Sequence, residues 1–224
     1  MSNIVIFGTG IVADVVYNYF EHESEEEVIA FTCDRAFRVL DTFYDRPVYD
    51  FERLDDHVDH ADFKLFIALG YQELNHVRAQ KFYEAKRKGF TLASYIHPKA
   101  NIPPTTSIGE NCFIMNNVCV QPRVTIGNNV FIWSGALVGH HSSIGDHVWI
   151  TSMASVSGCV NIGQKSFLGA NATIGNDIHI GEKCFIGANA LITKDTENNA
   201  VYISPSTPKF RLNADQFLQI SKFH

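Results

Sequence analysis

From residue 96 onward the chain repeats with a period of six. Aliphatic residues stand at Ile96, Ile102, Ile108, Ile114, Val120 and every sixth position thereafter to Ile186 and Ile192, seventeen in a row without an insertion. Four places after the aliphatic the residue is usually small or β-branched, as at Cys112, Val118, Val124, Ala136, Val148 and Ala172. Glycine often follows the aliphatic directly, as at Gly109, Gly127, Gly145, Gly163, Gly175 and Gly181. A period of six is neither the 3.6 of a helix nor the 2 of a flat strand. It predicts a parallel β-helix in which each hexapeptide is one short strand and a turn. Three hexapeptides close one triangular coil, so the seventeen give about 5.7 coils, a prism roughly 27 Å tall at the usual strand spacing. The aliphatic points inward, the small residue fills the corner, and Gly or Asn supplies the tight turn. Each coil bonds only its neighbours, so both ends need covers.

The first third alternates differently. Residues 3–7 (NIVIF) read as a buried strand, followed by Gly8-Thr9-Gly10-Ile11-Val12-Ala13 and an apolar helix to about Phe20. After the acidic stretch Glu21–Glu27, further strands are expected at Val28–Thr32, Lys64–Leu69 and Thr91–Tyr95. A helix over Glu73–Lys88 stops at Gly89, with Lys86, Arg87 and Lys88 suiting its negative end. Alternating strands and helices predict a small parallel sheet. The expected domains are therefore residues 1–95, Rossmann-like, 96–197, the prism, and 198–224, a tail or cap in which Asn213–Phe223 forms a short amphipathic helix.

The GxGxxA turn carries a mechanism. Gly8 permits the sharp turn, Gly10 permits close approach of a ligand, and Ala13 lets the helix pack on the strand. Free N–H groups at the helix start favour a diphosphate. Asp34, about 20 residues on, stands where a ribose-binding carboxylate often sits. The alternative is a compact turn that merely caps the sheet. Some 90 residues are too few for both halves of a dinucleotide fold, so a mononucleotide sugar fits better.

Bulk properties narrow the field. The 224 residues carry a net charge of −6 and a pI near 5.9, so a nucleic-acid partner is not expected. No apolar run approaches the roughly 18 residues of a membrane span, and the N-terminus reads as a strand rather than a leader. The five cysteines, Cys33, Cys112, Cys119, Cys159 and Cys184, form no CxxC pair, which suggests free thiols in a cytoplasmic protein.

The hexads, together with the Ile96-His97-Pro98-Lys99-Ala100 lead-in, resemble the bacterial hexapeptide-repeat transferases. The short Rossmann-like domain ahead of them resembles, more narrowly, the group of sialic-acid O-acetyltransferases and bacillosamine-type N-acetyltransferases. The resemblance implies a left-handed β-helix, a homotrimer, acetyl-CoA in the groove between two prisms, and a small-molecule nucleotide sugar on the front domain. It implies that Thr9 and Gly10 line the diphosphate or sugar, that Asp34 meets the nucleotide, and that Leu69 and Gly70 flank it. Gly158, Ala170, Gly187 and Ala188 would line the pantetheine arm, Trp149 would stack on a ligand or pack between subunits, and Lys209 would meet a CoA phosphate. A sugar ammonium must lose a proton to attack a thioester, so a general base is needed. By the resemblance that base is His140. The acidic residue that usually follows is replaced by His141, which supplies no fixed negative charge, and two interacting histidines titrate as a pair. An acidic residue of a neighbouring subunit could stand in, and the rival reading of His140 is a surface turn histidine. His140, His141, His147 and His179 fit a zinc site poorly, and no metal is expected. The expected activity is N-acetylation of a nucleotide-linked 4-amino-4,6-dideoxy hexose for a surface polysaccharide such as lipopolysaccharide or another glycan. The alternatives are a sugar O-acetyltransferase with a sialic-acid-like acceptor, or a non-catalytic nucleotide-binding trimer.

Overall fold

In the computed structural model, which describes residues 3–221, the two repeating patterns fold as two domains. The front domain is a five-stranded sheet. β1 (Asn3–Phe7), β2 (Glu27–Cys33), β4 (Arg46–Asp50) and β5 (Phe63–Ile67) run parallel, and the short β3 (Thr42–Phe43) joins β4 antiparallel at the edge; the order is β3-β4-β2-β1-β5. The runs in β1 and β5 are buried almost throughout, as a parallel sheet covered on both faces requires. Helix α1 (Ile11–Glu23) extends a turn beyond Phe20, and Val16, Tyr17 and Phe20 face the sheet. Helix α2 (His76–Arg87) starts three residues later than expected. Glu73, Leu74 and Asn75 all have positive φ and cannot be helical. The hairpin of β3 and β4 escapes the sequence pattern, because β3 has two residues and β4 buries only Val48.

The second domain is a left-handed parallel β-helix with three faces of two-residue strands. One face carries Tyr95, Phe113, Phe131, Trp149, Phe167 and Phe185 outward in a single column. A second carries Cys119, Leu137, Ser155, Thr173 and Leu191, and the third Ser107, Thr125, Ser143, Asn161 and His179. The inward series is buried from Ile114 through Ile192. Ile96, at the open first rung, is 43% exposed. The aromatic face ends on a further rung, Val201–Tyr202, paired with Phe185–Ile186.

The corners correct one expectation. Positive φ falls every sixth residue, at Asn111, Asn117, Arg123, Asn129, Gly135, His141, His147 and onward to Asn189, three places after the aliphatic. The glycines directly after the aliphatic are needed for a different reason: a Cβ on Gly109 would lie 2.7 Å from the Gly127 carbonyl oxygen, and one on Gly163 the same distance from that of Gly181. Most of them permit coil-on-coil approach rather than the turn; at Gly175 a Cβ would meet nothing nearer than 3.4 Å.

The aromatic column is covered by the chain's own front domain. Phe131 and Trp149 stack at 4.8 Å, and Arg78 of α2 lies 4.5 Å over Phe131 and 5.4 Å over Trp149. Arg78 is fully buried. Its guanidinium donates to the Asn129 carbonyl, to Asn129 Oδ1 at 2.9 Å, to Asn75 Oδ1 at 2.7 Å and to the His147 carbonyl at 3.0 Å. Burial pulls its pKa down to about 9, still charged near neutrality. The hydrogen bonds of Nη1 and Nη2 and the ring faces replace much of what water would have given the cation, while Nε is buried without a partner. Helix α3 (Ala214–Ser221) lies in the tail and buries no residue; Phe223, the expected end of that helix, falls outside the described residues.

Candidate active site

Two groups of residues converge in the front domain, at the carboxyl ends of the strands, where ligands of open parallel sheets bind. Gly8 (φ +127) turns the chain out of β1, and a Cβ there would lie 2.9 Å from the Ala68 carbonyl oxygen. Ala13 packs beneath it, fully buried. Around Gly10 a Cβ would meet nothing within 4 Å, so space is open at the start of α1, where the first amides lack partners. Two cavities flank this turn and share Leu69. One, about 170 Å³, is lined by Gly8, Thr9, Asp34, Phe37, Leu69 and Lys81 among others. The other, about 450 Å³, is lined by Gly10, Ile11, Val12, Leu69, Gly70 and Tyr71 among others. The structure thus places Thr9, Gly10, Asp34, Leu69 and Gly70 around one pair of cavities. Leu69 and Gly70 lie in the loop after β5, which closes at Ile67.

Three residues here are missed by the sequence reading. Lys81, on the buried face of α2, bonds Asp34 Oδ1 and Glu84 Oε2, each at 2.6 Å. Burial opposes its charge, but the bonds to Asp34 and Glu84 outweigh that and hold its pKa above the ordinary lysine value. Phe37 stands 73% exposed at the cavity mouth. Tyr71 packs its ring on Trp149 and Phe167. The available signal is the placement of Arg78 and Lys81 at the buried period of α2, where a cation needs a partner.

On the prism, His140 and His141 form a corner after the second face. His141 holds the positive φ that this corner demands (+60). The His140 N–H donates to Gln121 Oε1 at 3.0 Å in the coil before, and its carbonyl accepts from the Cys159 N–H at 2.8 Å in the coil after. The ring lies over Gly158, where a Cβ would come within 2.6 Å of Cε1 and 2.7 Å of Nε2. The Gly158 N–H is itself held by Asn176 Oδ1 at 3.0 Å. His140 Nδ1 and His141 Nδ1 are 3.1 Å apart, and both rings are exposed. Two neutral rings make that contact only if one Nδ1 carries a proton and the other does not. Among the described residues no carboxylate pairs with either ring.

The remaining residues divide. Ala170 and Ala188 are exposed at equivalent corners of successive coils, with the Asn189 N–H donating to the Ala170 carbonyl at 2.9 Å; Gly187 bonds the Tyr202 carbonyl at 2.7 Å. They line the corner before the second face, whereas His140 and Gly158 line the corner after it. Lys209 is exposed in the tail. Trp149 is corrected: it is 2% exposed, sandwiched between Phe131, Arg78 and Tyr71, and joins the chain's own two domains. His147 is also structural. It is fully buried, bonded to Asn129 Nδ2 at 2.9 Å and the Tyr83 hydroxyl at 3.1 Å.

A family model, bacterial transferase hexapeptide (six repeats), matches residues 105–140 and 159–194. Among solved structures, a histidine-to-asparagine variant of perosamine N-acetyltransferase from Caulobacter crescentus, in complex with CoA and GDP-perosamine, is 26% identical. That match has a TM-score of 0.80 and covers 91% of this chain and 94% of that one. The chain carries hexapeptide repeats like those of the bacterial transferases and is an acyltransferase. The acetyltransferase domain of PglB from Neisseria gonorrhoeae FA1090 shares the fold at 24% identity and TM-score 0.79, covering 90% of this chain and 96% of that one. WeeI from Acinetobacter baumannii AYE shares it at 20% and 0.77, with 91% and 97% covered. No curated protein sequence matches. No helix of this acyltransferase, among the described residues, is long and apolar enough to cross a membrane.

Proposed function

We propose that this acyltransferase moves an acetyl group from acetyl-CoA to the amine of a nucleotide-linked amino sugar, a 4-amino-4,6-dideoxy hexose being the favoured acceptor. The observation that carries the reading is the pairing of two sites: a nucleotide-type turn with open space at the α1 N-terminus, and an exposed imidazole over a glycine on the prism. The relative bound to CoA and GDP-perosamine holds both kinds of ligand on the same fold.

His140 is the base. With the shared proton on His140 Nδ1, His141 Nδ1 accepts it, and the His140 Nε2 lone pair is left beside the space that Gly158 keeps clear. The amine loses its proton to Nε2 as it attacks the thioester carbon. The C–S bond then breaks and CoA leaves as the thiol. Backbone N–H groups of the adjoining coil are the available donors for the oxyanion. His141 takes over the orienting role that an acidic residue has in the resembling group, without contributing charge.

A homotrimer supplies the rest of the site. Within one chain the His140 corner and the Ala170–Ala188 corner lie at opposite edges of the second face. That face is uncovered, with Leu191 67% exposed. Packing it against a second copy brings unlike corners together and forms the groove for pantetheine. His140→Ala is expected to lower turnover by roughly 10² or more while leaving the affinity for CoA within about twofold. Steady-state kinetics beside calorimetric CoA titration check this, and unchanged turnover would remove His140 from the mechanism.

A further inference from the structure

In the corner before the second face, one residue breaks the pattern of the stack. Asn117, Gly135, Met153, Asn171 and Asn189 follow one another coil by coil, all with positive φ. Each left-handed residue bonds the coil before it: the Met153 N–H donates to the Ser134 carbonyl at 3.2 Å, the Asn171 N–H to that of Ser152 at 3.3 Å and the Asn189 N–H to that of Ala170 at 2.9 Å. Asparagine suits such a backbone. Methionine has no such preference, and at 64% exposed it adds nothing to the core. Its thioether lies back over Gly135, the only prism glycine with positive φ among the described residues. A Cβ on Gly135 would fall 2.5 Å from Met153 Sδ and 3.4 Å from Cε. The two positions fit as a pair, one coil giving up its side chain to seat that of the next.

Met153 also stands at the level of the proposed chemistry. It precedes the second-face strand Ser155–Val156, and Gly158, over which the His140 ring lies, follows the same strand. In a cyclic trimer whose axis runs along the prism, neighbouring copies meet coil to coil at equal level. The Met153 corner of one copy then faces the Gly158 and His140 corner of the next. A pantetheine arm passing the exposed methyl groups of Ala188 and Ala170 meets Met153 as the first long apolar side chain on its corner.

Resting on the acetyl-transfer reading and the trimer it requires, we propose that Met153, seated on Gly135, closes the acyl end of the groove and restricts the donor to acetyl-CoA. It determines specificity by bulk. The bonds made and broken are the same for any acyl-CoA, but a longer chain brings its carbonyl carbon to the amine only by displacing the thioether. An apolar end wall of this kind discriminates one methylene by roughly 10- to 200-fold.

The test is thiol release by the full chain from acetyl-, propionyl- and butyryl-CoA, with UDP- and GDP-linked 4-amino-4,6-dideoxy hexoses as acceptors, each donor read as kcat/KM. The wild type is expected to prefer acetyl over propionyl by about tenfold or more, and over butyryl by a larger factor. In Met153→Gly, where glycine suits the positive φ, the acetyl-to-propionyl ratio is expected to fall to within about threefold. Met153→Gln, of equal length, is expected to keep the wild-type ratio. Met153→Ala is read by the same ratio, so that failure of the glycine variant to fold leaves the proposal open to refutation. A methionine that serves only packing between copies would change all three donors together and leave the ratios untouched in the glycine and alanine variants. That result, or a wild type that uses butyryl-CoA as readily as acetyl-CoA, overturns the proposal while acetyl transfer stands. If the wild type releases thiol from none of the donors, the acetyl-transfer reading fails and takes the proposal with it.

Discussion

At the scale of single residues the active-site proposal depends on what Gly158 lacks. The space beside His140 Nε2 exists because no Cβ projects there, and a methyl group would fall 2.6 Å from the ring. The ring is exposed and free to rotate away, so Gly158→Ala is expected to cost little stability, within about 1 kcal/mol. It is expected to lower turnover at least tenfold by displacing the base from its orientation. Melting temperature measured beside kcat separates the two, and full activity would show that His140 need not lie over this glycine. The strand–turn–helix spacing was enough to put Gly8, Gly10 and Asp34 beside one another, and the hexads were enough to put His140 at an outward corner, while its role as base comes from the resemblance. Lys81 and Arg78 were not legible, because a cation at a buried helix position reads as a surface charge until its partners, 47 and 51 residues away in the chain, are in place. Trp149 was misread for a related reason: an aromatic pointing out from a rung gives no sign of what covers it.

At the scale of elements the hexads specify the prism almost residue by residue. Inward aliphatics, corner residues and coil number all follow from one period, since each coil answers only to its neighbours. The hidden part was the division of labour in the corners. Mostly non-glycine residues, Asn, His, Cys and Lys among them, carry the left-handed backbone, with Gly135 an exception, and the glycines after the aliphatics mostly carry the close contacts. The hairpin of β3 and β4 was likewise illegible, since β3 has two residues and β4 buries only one side chain. His147 shows how a corner residue can couple to α2. Burial first, and the neighbouring Arg78 cation second, push its pKa down to about 4, against an ordinary value near 6.5. The folded form therefore favours neutral His147, and the unfolded chain takes up the proton between those two values. Its contribution to stability is complete above about pH 6.5 and is lost as pH falls toward 4, at up to about 1.4 kcal/mol per pH unit. Urea unfolding between pH 7 and 4.5 should show a shallower pH slope in His147→Asn, a residue that tolerates the positive φ, than in the wild type. Identical slopes would contradict the burial of a neutral imidazole at the joint.

At the scale of the whole molecule, the aromatic column explains why the two domains sit as they do. One face of the prism is covered by α2 and the loop after β5, and the second face, with Leu191 67% exposed, is the one proposed to meet another copy. The cavities flanking the Gly8–Gly10 turn and the His140 corner belong to different domains, so the proposed reaction draws on both. The most direct test is release of free CoA thiol from acetyl-CoA by the purified full chain, with UDP- and GDP-linked amino sugars offered as acceptors and the acetylated product identified by mass. Thiol release that depends on an amino-sugar nucleotide and disappears in His140→Ala is the expected result. A folded protein that binds acetyl-CoA but releases no thiol with any of these acceptors would contradict the account.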